Sequence, residues 1–141
     1  MNCKQNGFSL IEIMVVVVIL SILAALVVPK IINRPEEARI VKAKQDVLTL
    51  QNALELYQLD NGFYPSTEQG LNALINKPND PPIPEHWSPY LKFLPKDPWG
   101  HAYLYNNPGE HGDIDIYTYG RTGMPNGKGQ DAEIGNWNVQ N

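Results

Sequence analysis

The residue in this chain best placed to do chemistry is Glu12. It stands fifth in Phe8–Val28, a nearly unbroken apolar stretch of 21 residues. An ionised carboxylate in hydrocarbon costs on the order of a few kcal/mol, so a carboxylate in such a run is read as functional by default. Two readings are open. Glu12 lies near the membrane interface and snorkels to water, or it awaits a positive partner supplied on assembly. A free amine and a carboxylate at membrane depth are each poorly placed alone; paired across two chains they offset one another and set a register.

The remaining chemistry-bearing residues point away from catalysis. His86, His101 and His111 are scattered without metal-ligand spacing. Asp113 and Asp115 alternate with Ile114 and Ile116 and read as a solvated strand face rather than a catalytic pair. No phosphate loop and no nucleophile motif is present. The chain is therefore expected not to be an enzyme. Net charge is −4, with no Lys/Arg run, which argues against nucleic acid as a partner.

The elements that must position Glu12 follow from periodicity. At 1.5 Å per residue, 21 helical residues span roughly 30 Å, the thickness of a bilayer core. A secretory signal has a shorter apolar core and a small-x-small cleavage site; here Pro29 and Lys30 end the run. The segment 8–30 is thus read as a transmembrane helix. Lys4 precedes it and Lys30 and Arg34 follow, so flanking charge leaves its orientation undecided.

Pro35 suits a first helical turn, followed by the acids Glu36 and Glu37. Ile40, Ala43, Val47, Leu50, Leu54 and Tyr57 then recur at helical spacing, one stripe of an amphipathic stalk over 31–62 that ends near Asn61-Gly62. The stripe is expected to pack on the chain's own globular part. The opposite face, with Arg39, Lys42, Gln45, Asp46 and Glu55, is available to neighbouring subunits. Pro29 and Pro35 predict a bend or a melted stretch between the two helical runs.

In the region 63–141, Ser66 or Thr67 can cap a short helix to about Asn76. Pro78, Pro81, Pro82 and Pro84 enforce an irregular loop, and Asp97-Pro98-Trp99-Gly100 reads as a turn. His101–Tyr105 and Asp113–Tyr119 read as strands. The expected fold is α+β: a long N-terminal helix packed against a small antiparallel sheet. Gly120–Asp131 holds four glycines and a proline, a loop that needs something to tie it down.

Gly7-Phe8-Ser9-Leu10-Ile11-Glu12, behind a short polar leader, resembles the processing motif of type IV pilins and pseudopilins. The resemblance implies that prepilin peptidase cuts between Gly7 and Phe8 and that Phe8 is then N-methylated. It implies that Glu12 neutralises the N-terminal amine of a neighbouring subunit. Residues 1–7 become the removed leader, taking the single cysteine, Cys3, with them. Tyr64-Pro65-Ser66-Thr67-Glu68-Gln69-Gly70-Leu71, then Asp97-Pro98-Trp99-Gly100, then Ile134-Gly135-Asn136-Trp137 are similar to the major (G-type) pseudopilins of the type II secretion system.

That resemblance covers nearly the whole chain. It implies a pilin-like fold, a single pass through the bacterial inner membrane and a periplasmic C-terminal region. It also implies a homopolymeric filament that drives export of folded proteins. The partners implied are minor pseudopilins, prepilin peptidase, the inner-membrane assembly platform and its ATPase, and an outer-membrane secretin. A true type IV pilin of an adhesion or motility filament is the alternative reading. The resemblance further implies calcium in the C-terminal loop, held by the carbonyls of Tyr119 and Met124 and the side chain of Asp131, with Thr122 offering a neutral hydroxyl. Here the sequence departs from the family: Gly120-Arg121-Thr122-Gly123 stands for Gly-Ala-Asp-Gly, and Glu133 stands where Asp is usual. Packing of Trp137 is the other way to hold this loop.

Overall fold

The structure, a computed structural model, describes residues 6–140. The first five residues of the expected leader, with Cys3 and Lys4, lie outside the described residues. The chain divides into two compact units between Glu36 and Glu37.

Helix α1 runs from Leu10 to Asn61. Of the bend or melted stretch expected between Pro29 and Pro35, the melted stretch is not found, since one helix is assigned through both prolines. Each proline removes one i→i−4 bond, but helix-favouring runs on either side extend the element across them. Pro35 therefore does not open a second helix. Among the described residues no helix is long and apolar enough to cross a membrane. The described part of the apolar run ends at Leu26, and the side chains of Val27 and Val28, which complete the run in the sequence, lie outside the described ones.

The second unit holds every buried apolar residue among those described. Ala43, Val47, Leu50, Leu54 and Tyr57 of the stripe are buried, and Ile40 packs against them. They meet Leu71, Ala73 and Leu74 from a 3-10 turn and Tyr103, Tyr105, Ile114, Ile116 and Ile134 from the sheet region. Asp46 does not belong to the free face, as the sequence had suggested. It is buried, accepting a hydrogen bond from the Tyr103 hydroxyl at 2.9 Å and another from Lys42. Burial first, and the bond to Asp46 second, push the Tyr103 phenol well above its usual range.

The helix ends as a glycine C-cap requires. Gly62 takes φ +84°, and its N–H donates to the Gln58 carbonyl at 2.7 Å. The Asn61 side chain bolts this end to the following loop. Its Nδ2 donates to the Tyr57 carbonyl and the Tyr90 hydroxyl, and its Oδ1 accepts from the His86 N–H at 3.0 Å.

The sheet is antiparallel, in the order β1 (Leu104–Asn106), β2 (Asp115–Thr118), β3 (Ile134–Gly135). Tyr105 faces Ile116, and Thr118 faces Ile134. The first two strands are shorter than predicted. His101 and Ala102 fold back on Lys96 and Asp97 instead, through a 2.8 Å bond from the Asp97 N–H to the His101 carbonyl. Ser66 caps as foreseen, but over a turn. Its Oγ accepts from the Gln69 N–H at 3.1 Å, while Gln69 Oε1 accepts from the Ser66 N–H at 3.0 Å. Gly70, at φ +62°, ends that turn, and only Leu71–Leu74 is helical, as a 3-10 turn.

Candidate functional site

Three places collect the chemistry-bearing side chains. The first is the start of α1. Ser9 is its N-cap: Ser9 Oγ accepts from the Glu12 N–H at 3.3 Å, and Glu12 Oε2 accepts from the Ser9 N–H at 3.1 Å. This is a reciprocal capping box. It gives Glu12 a local partner at the positive end of the helix dipole, which lowers the cost of placing a carboxylate in an apolar run. It also fixes where the helix starts, so the Gly7–Phe8 peptide bond lies outside it. Gly7 has open space around its Cα, and Phe8 is 85 % exposed. A peptide bond held out of a helix and in the open is one a peptidase can bind. Ser9 was not singled out in the sequence, although Ser-x-x-Glu ahead of an apolar run is the signal for such a box.

The second place is the C-terminal loop, rooted on Asp97. This carboxylate is 4 % exposed. Its Oδ1 accepts from the N–H groups of Trp99 at 3.1 Å and His101 at 2.7 Å, closing the Asp-Pro-Trp-Gly turn. Its Oδ2 accepts from Thr118 Oγ1 at 2.5 Å, and Thr118 Oγ1 accepts from the Gly120 N–H at 3.1 Å. Two short 3-10 turns follow, Gly120–Thr122 and Gly129–Asp131. Arg121 joins them: Nε lies 2.8 Å from Asp131 Oδ1 and Nη2 lies 3.0 Å from Oδ2.

The residues expected to hold calcium bring one carboxylate to the loop. Calcium takes six to eight oxygens, with carboxylates supplying the charge. Asp131 is the one acid among Tyr119, Thr122, Met124 and Asp131, and both its oxygens face the guanidinium of Arg121. Thr122 Oγ1 accepts from the Met124 N–H at 3.3 Å. Among the described residues no three His, Cys, Asp or Glu side chains gather as a metal site would need.

The third place is Asp115, which corrects the reading of a solvated strand face. Asp113 is exposed, but Asp115 is 2 % exposed. Its carboxylate accepts from the Glu110 and His111 N–H groups at 2.8 and 3.2 Å and lies 2.9 Å from His111 Nδ1. It folds the 109–113 turn back onto the strand. The His111 ring stacks on Trp137 at 3.7 Å between centroids, and Trp137 also leans on Tyr117. Trp137 thus ties the tail beyond β3 to the 109–113 turn and to β2. Arg39, Lys42, Gln45 and Glu55 keep the exposed positions expected of them.

Residues 30–137 match the family described as type II secretion system, protein G, and residues 2–28 match the prokaryotic N-terminal methylation motif. The chain is 54 % identical over 136 residues to the type II secretion system core protein G of Pseudomonas aeruginosa, with 95 % of this chain and 96 % of that protein covered. It is 52 % identical over 138 residues to the protein of the same name in Vibrio cholerae, covering 97 % and 94 %. The crystal structure of the major pseudopilin from the type 2 secretion system of enterohaemorrhagic Escherichia coli superimposes with a TM-score of 0.69 at 42 % identity, over 77 % of this chain and 91 % of that one.

Proposed function

We propose how this chain works from one premise: it belongs to the type II secretion system protein G family and is a structural subunit of that system's pseudopilus. As such it is a membrane-anchored, periplasmic component. The finer reading begins at the capped helix start. Prepilin peptidase cuts the exposed Gly7–Phe8 bond, and Phe8 becomes the methylated N-terminus. Segment 8–30 crosses the inner membrane once, with the C-terminal region in the periplasm. Every described side chain from Phe8 to Leu26 is exposed, a continuous apolar surface that only lipid or neighbouring subunits can cover.

The observation that carries the mechanism is the Ser9–Glu12 box. In the single subunit the Glu12 carboxylate caps its own helix. On assembly it exchanges that neutral donor for the Phe8 amine of an adjacent copy. A carboxylate paired with a charged amine in a dry setting gains Coulomb attraction that a bond to a neutral N–H lacks, so the exchange favours the polymer and fixes its axial register. The assembly platform, its ATPase and minor pseudopilins act on this homopolymer, whose growth moves folded proteins toward the outer membrane. The polymer role needs no catalytic group in the subunit.

The test is Glu12→Gln in cells that carry the secretion system. The variant keeps a side-chain acceptor for the Ser9 N–H but lacks the charge. Leader removal proceeds as in the unmodified chain, and filament recovery is lost. Filaments recovered at normal yield from E12Q would show that the carboxylate does not pair subunits.

A further inference from the structure

We propose that in this subunit the C-terminal loop is stapled by the Arg121–Asp131 ion pair and takes no calcium. The pair is bidentate, with both guanidinium-to-carboxylate distances at or below 3.0 Å, the geometry that makes Arg a specific partner for a carboxylate. It joins the two 3-10 turns, and so closes the loop between the points a bound ion would otherwise bridge. A calcium ion at Asp131 would have to displace the guanidinium and would then sit beside that positive charge. Glu133 is the other acid of this segment, but among the described residues no three His, Cys, Asp or Glu side chains gather, and the Thr122 hydroxyl accepts a backbone N–H.

The two ends of the loop also pack closely on one another. A Cβ on Gly127 would fall 1.7 Å from the Asp131 carbonyl oxygen, so that oxygen is packed against the Gly127 backbone. Gly120, at φ +75°, is approached by the Ala132 carbonyl, with 3.4 Å to a Cβ built there. The loop is closed by contacts within the chain. This inference concerns the loop alone and stands apart from how the subunits polymerise.

The experiment is hydrogen exchange on the full chain in detergent micelles, following peptides over 120–132. Exchange is measured with calcium chloride, with a chelator and with added sodium chloride. The expected rates are equal in calcium and in chelator. Arg121→Gln and Asp131→Asn each raise exchange in that segment by about two- to fivefold, the factor for an ion pair whose members are 51 % and 28 % exposed. Sodium chloride speeds exchange in the unmodified chain and leaves both variants unmoved, since screening weakens only an ion pair that is present. Slower exchange in calcium would overturn the proposal, and so would an R121Q chain exchanging at the original rate. The salt response of the unmodified chain keeps the test decisive if a variant fails to fold.

Discussion

Asp97→Ala is the substitution expected to do most damage for its size. The Asp97 carboxylate is 4 % exposed and accepts three hydrogen bonds, from the Trp99 and His101 N–H groups and from Thr118 Oγ1. A hydrogen bond to a charged group contributes about 1.5–3 kcal/mol net, and buried donors left without acceptors add their own desolvation cost. The three share one carboxylate and do not add fully, so the loss is about 3–5 kcal/mol. That is a large part of the roughly 5–15 kcal/mol that holds a domain of this kind. Asp97→Asn keeps one acceptor oxygen for the two backbone donors but presents an amide to Thr118, and should cost less, about 1–2 kcal/mol. Among the described residues all buried apolar ones lie in 37–141, so urea unfolding of that unit measures both variants. A D97A unfolding free energy within about 1 kcal/mol of the original would refute the view that this carboxylate roots the loop.

Other expectations follow from the same contacts. Ser9→Ala removes the N-cap, at a cost of about 1 kcal/mol to the first turn, and Ser9→Asp restores it. The rate of leader removal in membranes, compared across the three chains, should fall for S9A and recover for S9D; equal rates would dissociate the box from processing. Burial raises the Tyr103 and Tyr105 pKa values above the ordinary 10.0. Folding therefore favours their neutral forms, and that stability is complete below pH 10 and declines as pH rises above it. The loss is about 1.4 kcal/mol per pH unit for each tyrosine. Tyr57, Tyr64, Tyr90 and Tyr119 are shifted the same way, so alkaline unfolding of Tyr103→Phe should show a slope shallower by about 1.4 kcal/mol per pH unit, and an unchanged slope would sink the argument. Leu50→Ala, at a fully buried stripe position, should cost about 2–5 kcal/mol in the same urea assay.

The helical stripe was legible because its period is long and regular: five of its six residues became core and the sixth packs on it. Glu12 was legible because a carboxylate in an apolar run is conspicuous. What was missed depends on partners distant in sequence. Asp46 looked like a surface residue until Tyr103, 57 positions away, reached it. Asp115 looked solvated because strict alternation assigned it to the outer face, whereas the turn before β2 folds back over it. β3 is two residues long, too short for any period to register, and shows in the sequence only as part of a motif. The Arg121–Asp131 pair joins residues 10 apart in a glycine-rich loop, where no regular element fixes which side chains meet. Pro35 misled because a proline that permits a helix start does not require one.

Asn61-Gly62 is a junction whose consequence is chemical durability. Asparagine followed by glycine is the dipeptide most prone to cyclise and deamidate, because the glycine nitrogen can swing unhindered onto the side-chain carbon. Here neither group is free to move. The Gly62 amide donates to the Gln58 carbonyl, and the Asn61 carboxamide is held at both ends by Tyr57, Tyr90 and His86. The bonds that finish the helix thus also protect its last residue from ageing, in a subunit that must last as long as the filament it joins.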